Sequence, residues 1–505
     1  MVLRQTGGVV LAAAIFVLEA APVASAAPVL VLEGGHVRTV HDPALDHVVT
    51  ERAPAGVARA CIRCERRQRA LAARKGADPV RRALGNALLR GQIDPAAASR
   101  YRSDYSAALR LRKRLPFVRA RELGYVIDVL RRLARTKRLS PARMPALFLT
   151  LERNTEWWAA NGLPAANTRI RFGNTRLLFQ YYPGLGLQIQ PLGNFGAANG
   201  YWYAHNDSAL RKLVDELLAV RVKRGDFTTW EYYFAFGGGS PPWISGMAQG
   251  TAVQALARAG TRLADPSIVD IARDGLTAFQ RRTPTGVRVP DGDGAWYPLY
   301  SFAPKLEVLN GMLQALIGLN TYAELTGDTR AAALFADGDR LARARIGAYD
   351  TGAWSLYSRS GGRPGAEASL NYHTLNRDFA QRLCKATKAE RYCTAADNFS
   401  RYLTEDPTLT PFGPSPSPAR AGRGVRFHFR LSKIGRAGIV VSAGGRTYLS
   451  TSAVLAHGDR YFRWVPPRLK TERTYDYRLF ARDLAGNTSS EQGTIRVKPV
   501  PKRGQ

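Results

Sequence analysis

Acidic residues are scarce in this chain. Forty Asp and Glu stand against 73 Lys and Arg, giving a formal net charge of +33 over 505 residues. A field of that sign concentrates anionic polymers near the surface and speeds their capture; the other reading is an Arg- and Ala-rich coding bias spread over solvated helix faces. Long apolar runs are lacking too. Beyond the first thirty residues no stretch reaches the roughly 18 consecutive apolar residues that cross a bilayer. Several catalytic signatures are missing. Cys61 and Cys64 form a CxxC with no second matching pair for zinc and no βαβ pattern around it for redox chemistry. Ser245 lies in "WISGM", which is not a GxSxG elbow. Gly184 and Gly186 do not complete a dinucleotide fingerprint. A glycosidase needs two carboxylates at a set separation; Glu231, Glu307 and Asp350 are available, but nothing in the sequence pairs them.

What is present suits a globular protein of two or three domains: 45% hydrophobic and 22% charged residues, with eight Trp and 21 Tyr. "MVLRQTGGVVLAAAIFVLEAAPVASAAP" has a basic start, an apolar run and a small-residue site, so residues 1–26 read as a signal peptide. Glu19 near the end of the run keeps an uncleaved anchor open. Export to the cell envelope or beyond argues against DNA or RNA and for an acidic polysaccharide as the partner. Four cysteines fit an oxidising compartment. Cys384 and Cys393 flank a helix–helix turn, where a short disulfide is expected.

Residues 27–57 carry His36, His41 and His47 without metal-site spacing and read as a flexible start. Residues 58–164 read as a basic helical region packing on the next domain. There Leu123, Val126, Ile127, Leu130 and Leu133 recur at three- and four-residue steps, and Ser140-Pro141 supplies a helix start. Gly, Asn, Tyr and Pro break the rhythm over 165–205. Helical periodicity returns over 208–221, 245–262, 266–281, 305–326, 329–346, 374–387 and 389–404. Helical hairpins side by side suggest an α/α toroid over 165–407, with irregular connections lining a cleft at one end. "TPFGPSPSPARAG" reads as a stiff Pro/Ser linker over 408–422. From 423 to 500 the period becomes two, with Val425, Phe427, Phe429 and Leu431 alternating with Arg426, His428 and Arg430. That pattern predicts a small β-sandwich, similar to immunoglobulin- and fibronectin-like modules on secreted bacterial carbohydrate enzymes, acting as a spacer or a glycan dock.

Three connections stand out: "YYPGLGLQIQPLGNFGAANGYW", then "PPWISGMAQG" leading into "DGDGAWYPLYSFAPKLEVLNG", and "YDTGAWSLYS" with "NYHTLNRDF". The motifs "YPGLGLQIQPLG", "SGMAQG", "VLNGMLQALIGL", "YDTG" with Tyr357, and "YHT" resemble, in order and spacing over roughly 180–405, the C-terminal region of the D-glucuronyl C5-epimerases. That family inverts uronic acids within polysaccharide chains on an α/α barrel. The resemblance implies Tyr300, Tyr357 and Tyr372 as the active-site tyrosines. Two departures stand beside it. Animal members carry an N-terminal β-domain for which the sequence shows no counterpart, and the family's arginine falls two residues after Tyr357 instead of three, as Arg359.

Inverting C5 of a glucuronate removes a proton beside a carboxylate and returns one to the opposite face. A phenol, with a pKa near 10, suits such a weak carbon acid better than a carboxyl near 4. Holding a phenolate at pH 7 costs about 4 kcal/mol for three units, so nearby cations are needed. Tyr357 and Tyr372 are expected as the opposed acid/base pair, with Tyr300 as a relay or carboxylate contact. Arg359, Lys305, Arg377 and His373 are expected to neutralise charge, and Gln188, Gln190, Asn194 and Trp243 to touch sugar. No metal or organic cofactor is implied. The rival readings are a uronate lyase, a glycoside hydrolase, and a secreted glycan-binding protein without catalysis.

Overall fold

Helix boundaries in this chain are set by short acceptor side chains and prolines. The computed structural model describes residues 28–46, 48, 50, 78–173 and 175–500. The expected signal peptide, His47, Cys61 and Cys64 lie outside the described residues. Asp78 and Asp94 cap helices α1 (Pro79–Leu89) and α2 (Pro95–Arg114), each with Pro in the first turn. Helices α3 (Phe117–Arg135) and α4 (Met144–Ala160) follow, and α3 buries the five apolar residues expected of it. α3 also buries Glu122, which accepts hydrogen bonds from Gly184 N (2.9 Å) and Gly186 N (3.0 Å). The "YPGLG" motif is therefore a tight hairpin clamped by an acid sixty residues upstream. Gly186 has φ 74°, and a Cβ there would sit 2.7 Å from Asn154 Oδ1.

Four helical hairpins come next: α5 (Pro191–Tyr203) with α6 (Asp207–Ala219), α7 (Gly246–Arg262) with α8 (Pro266–Gly275), α9 (Leu309–Thr326) with α10 (Thr329–Arg345), and α11 (Leu370–Thr387) with α12 (Glu390–Arg401). Helices α5, α7, α9 and α11 pack one against the next, and their partners stack outside them. This is the α/α toroid arrangement. The inner helices approach closely: a Cβ on Gly318 would fall 2.1 Å from the carbonyl oxygen of Gly250. The Cys384–Cys393 disulfide ties α11 to α12.

Three expectations are corrected here. Residues 27–57 are not simply a loose start, because Val29–Glu33 and His36–Val40 pair antiparallel and the first also pairs in parallel with Arg169–Phe172. With Phe179–Tyr182 and Gly186–Ile189 they make a five-stranded sheet, so this chain does have an N-terminal β-element. The 165–205 stretch is not wholly irregular, since it ends in α5. The Pro/Ser stretch is not a linker: Leu409–Ser415 is a strand paired with Val425–Leu431.

The C-terminal region is a β-sandwich. Leu409–Ser415, Val425–Leu431 and Gly458–Trp464 form one sheet, and Ala419–Arg420, Thr488–Lys498, Arg473–Asp483, Gly435–Ala443 and Arg446–Leu455 form the other in that order. Alternate residues of both sheets share one apolar core. The sandwich is docked on the helices, not tethered to them. Lys433, 1% exposed, places Nζ 2.8 Å from Tyr402 O and 3.0 Å from Asp483 Oδ2. Glu367 accepts from Ile434 N (2.9 Å) and from His457 N (2.8 Å), with His457 Nδ1 at 2.9 Å. Among the described residues no helix is long and apolar enough to cross a membrane.

Candidate active site

The "YDTGAW" stretch is a turn built by its own side chains. Asp350 Oδ1 accepts from Gly352 N (2.8 Å) and Tyr402 OH (2.9 Å), and Oδ2 accepts from Asn398 Nδ2 (2.9 Å). Trp354 is buried and donates to Ala368 O. The chain then runs past Tyr357 into Ser358–Ser360, which pairs antiparallel with Leu306–Val308. Tyr357 is held at both main-chain ends: its N–H donates to Ala366 O (2.8 Å), and its carbonyl accepts from Leu309 N (3.2 Å) at the start of α9.

Tyr372 lies in the first turn of α11, which Ser369 caps. The loop and the helix start bring Tyr357 and Tyr372 ring to ring, with centroids 4.7 Å apart and planes tilted by 46°. Both side chains are half-buried. Tyr300 belongs to a neighbouring aromatic wall, within 5.4 Å of Phe236, 5.7 Å of Trp243 and 5.4 Å of Phe302 between centroids. It is 9% exposed. Two turns, Ala303 N to Tyr300 O and Leu306 N to Ala303 O, lead from it into the strand that pairs beside Tyr357. Tyr300 and Tyr357 thus lie on the connections leading into two paired strands of a small three-stranded sheet, and Tyr372 lies at a helix start.

Several expected contacts have other employment. His373 is sealed in the core. Its Nε2–H donates to Phe399 O (2.9 Å), its Nδ1 accepts from Ser355 N (3.1 Å), and its ring stacks on Trp354 at 3.7 Å. Burial pushes its pKa down to about 4, so it is a neutral structural histidine and not a charge for a substrate carboxylate. Gln188 donates to Leu185 O, Gln190 to Tyr182 OH, and Asn194 to Leu178 O and Gln190 O, all of them buried. Trp243 lies 4.1 Å from Tyr232, 3° from parallel, and is 1% exposed. These four fill and satisfy the core; as sugar contacts they are withdrawn.

The cations differ among themselves. Arg359 donates to Ala348 O (2.7 Å) and Gly362 O, and sits 5.9 Å over the Tyr349 ring. It holds the loop together. Arg377 pairs with Asp378 at 2.7 Å. Lys305 is exposed on the turn that follows Phe302.

The carboxylates a hydrolase would use are also committed. Burial alone would raise Glu231, but hydrogen bonds and charge from Arg143 (2.6 Å) and Arg224 (2.7 Å) hold its carboxyl below the usual range. Burial raises Glu307, which Arg345 meets at 2.6 Å. Phe302, Phe236, Ser355 and Asn376 were missed as parts of this neighbourhood. Asn376 donates to Ser355 Oγ (3.1 Å) and Leu356 O (3.3 Å), fixing the residue before Tyr357. No sequence pattern marks such a partner. A surface depression of about 580 Å³ near Leu218, Lys223, Asp270 and Asp274 contains none of the tyrosines. Among the described residues no group of three or more His, Cys, Asp or Glu is placed to hold a metal ion.

Hairpin architecture and tyrosine-bearing connections define an α/α helical domain with aromatic groups on its irregular connections. Residues 224–401, which include all three tyrosines, match the family described as D-glucuronyl C5-epimerase C-terminus. An uncharacterised protein of Methanocaldococcus jannaschii is 26% identical over 169 residues, 32% of this chain and 54% of that protein. The chain therefore spans about half the length of this curated relative. A sugar epimerase from a ruminal bacterium is similar at 10% identity over 57% of this chain and 75% of its own, with a TM-score of 0.35. The cellobiose 2-epimerase of Bacillus thermoamylovorans is similar at 10% identity over 57% and 74%, with a TM-score of 0.34.

Proposed function

We propose that this protein is an exported polysaccharide epimerase that inverts C5 of D-glucuronate residues within an acidic glycan. The observation that carries the reading is the contact of Tyr357 with Tyr372 at 4.7 Å inside the span matched to the C5-epimerase C-terminus. A phenolate takes the C5 proton, and the electron pair delocalises into the C6 carboxylate as an enediolate. A phenol on the other face returns a proton to C5, so no bond is lost overall. Adjoining phenols favour this state, since one hydroxyl can donate to its neighbour's phenolate.

The short separation shapes the assignment. A pyranose between two aromatic groups needs two van der Waals contacts of about 3.5–4 Å each, roughly 7–8 Å in all. In this conformation Tyr357 and Tyr372 serve one face together, and Tyr300 on the neighbouring wall serves the other. Lys305, exposed on the turn after Phe302, is offered as a cation for the substrate carboxylate.

The same closeness favours a second reading, a uronate lyase, whose base and acid can share one side while the C4 oxygen leaves. Incubation with glucuronate polysaccharides in heavy water separates the two. Deuterium at C5 without chain cleavage supports the epimerase; unsaturated ends with new ultraviolet absorbance select the lyase. Neither product, on any uronate polymer tested, sinks both.

A further inference from the structure

We propose that the outer face of the three-stranded sheet in the C-terminal sandwich is a second binding site for an acidic polysaccharide. It rests on the epimerase reading only for the identity of the polymer. Along Val425–Leu431 the residues Val425, Phe427, Phe429 and Leu431 point into the core, which turns Arg426, His428 and Arg430 outward. Across the sheet Arg426 lies opposite Arg463 and His428 opposite Tyr461. On the other flank a bulge between Pro411 and Gly413 turns out Phe412.

Phe412 is 55% exposed and Tyr461 is 53% exposed. Two large aromatics exposed on one face, bordering one depression, offer a stacking surface. Each is already set beside a guanidinium: Arg426 lies 5.1 Å from the Tyr461 centroid, and Arg430 lies 5.7 Å from that of Phe412. Between them lies a shallow depression of about 350 Å³ bordered by Phe412, Ser415, His428, Arg460 and Tyr461. Arg430 is matched by Asp459 at 2.7 Å. Arg460 lies opposite the core-facing Phe429 and bonds main-chain carbonyls at Ala456, His457 and Asp459, so the outward charges to consider are Arg426, Arg430 and Arg463. One carboxylate, Asp459, stands among these three outward arginines.

That chemistry specifies the occupant. Aromatic faces stack on the C–H face of a sugar ring, and arginine forks bind carboxylates in two-point fashion. A neutral glycan has no use for the arginines, so the fit is to a uronate-bearing chain. The sheet is also linked to the tyrosine loop through Glu367. Its strand Gly458–Trp464 begins directly after His457, which holds Glu367, and Glu367 bridges to Leu356 beside Tyr357. Four strand residues from His457 to Tyr461 span about 13 Å, a distance one polymer chain covers.

The test uses the full chain, hyaluronate, heparosan and polyguluronate as acidic probes, dextran as the neutral one, and affinity electrophoresis without turnover. Phe412→Ala with Tyr461→Ala, and separately Arg426→Gln, should each weaken acidic-polymer binding roughly tenfold or more. Unchanged thermal unfolding is the control for folding. Binding by the wild-type chain should fall as salt rises. Wild-type failure to bind any acidic probe overturns the proposal. So does acidic binding unaffected by both variants, equal retention by dextran, or variants that alter only self-association in sedimentation. If the wild type shows no C5 exchange while aromatic-dependent binding persists, the epimerase reading falls and this one stands. Exchange without aromatic-dependent binding gives the reverse.

Discussion

Trp354 and His373 lie face to face, 3.7 Å between centroids and 8° from parallel, three residues from Tyr357 and one from Tyr372. This buried stack anchors the loop that leads to Tyr357 and the first turn that carries Tyr372. Its histidine is neutral because it is buried, and that has a pH signature. The pKa of 6.5 falls to about 4 in the folded state. The unfolded chain therefore binds one more proton between those values. Stability is full above about pH 6.5, declines as the pH drops, and has lost about 3 kcal/mol near pH 4. Urea unfolding at pH 7 and 4.5 checks this against His373→Asn, whose slope across the window should be flatter by one proton. Equal slopes refute it.

Removing only the hydroxyls of the touching tyrosines is the direct test of the chemistry. Tyr357→Phe and Tyr372→Phe keep the ring contact but delete the proton carriers. Each should lower C5 hydrogen exchange by about 10²–10⁴, with polysaccharide affinity nearly unchanged. Tyr300→Phe should fall in the same range if it serves the opposite face. Full exchange in all three variants would end the assignment.

Lys433 and Asp483 are buried against each other at 3.0 Å where the sandwich meets the helices. Taking one charge away leaves the other stranded, which costs about 3–5 kcal/mol. Lys433→Met or Asp483→Leu should show that loss in chemical denaturation. The double variant should recover much of it, and a double variant as weak as the sum of the singles speaks against a paired interaction.

Cys384 and Cys393 close a short loop, with a sequence separation of 9. Cross-linking so short a segment restrains the unfolded chain by roughly 2–3 kcal/mol. Replacing both by Ser should lower stability by about that amount, read as the shift in unfolding free energy. Near-identical curves would show that the bond is dispensable.

The outer helices were readable because their faces divide cleanly. α6, α8 and α12 alternate polar and apolar sides, and their expected spans differ from the observed ones mainly by frayed ends and a short 3₁₀ turn after α8. α5 was missed because it is buried nearly all round and built from Gly, Ala and Asn, which leaves no period to detect. The prolines of Leu409–Ser415 disguised a strand. It lies at a sheet edge with one pairing partner, where a missing N–H is tolerated.

Within the site, residue type was legible but direction was not. Gln190, Asn194 and His373 look like ligand-facing polar groups. In the fold Asn194 and His373 answer the hydrogen-bonding needs of buried main chain, and Gln190 bonds the buried Tyr182 hydroxyl. Which way a side chain points depends on distant partners such as Tyr182 and Phe399, and local spacing carries no record of them.

Glu367, by gripping both Ile434 and His457, denies the C-terminal module any swivel. A freely hinged appendage would let a glycan thread in either sense. A fixed one would hold the reducing and non-reducing arms of the proposed polymer substrate in different surroundings.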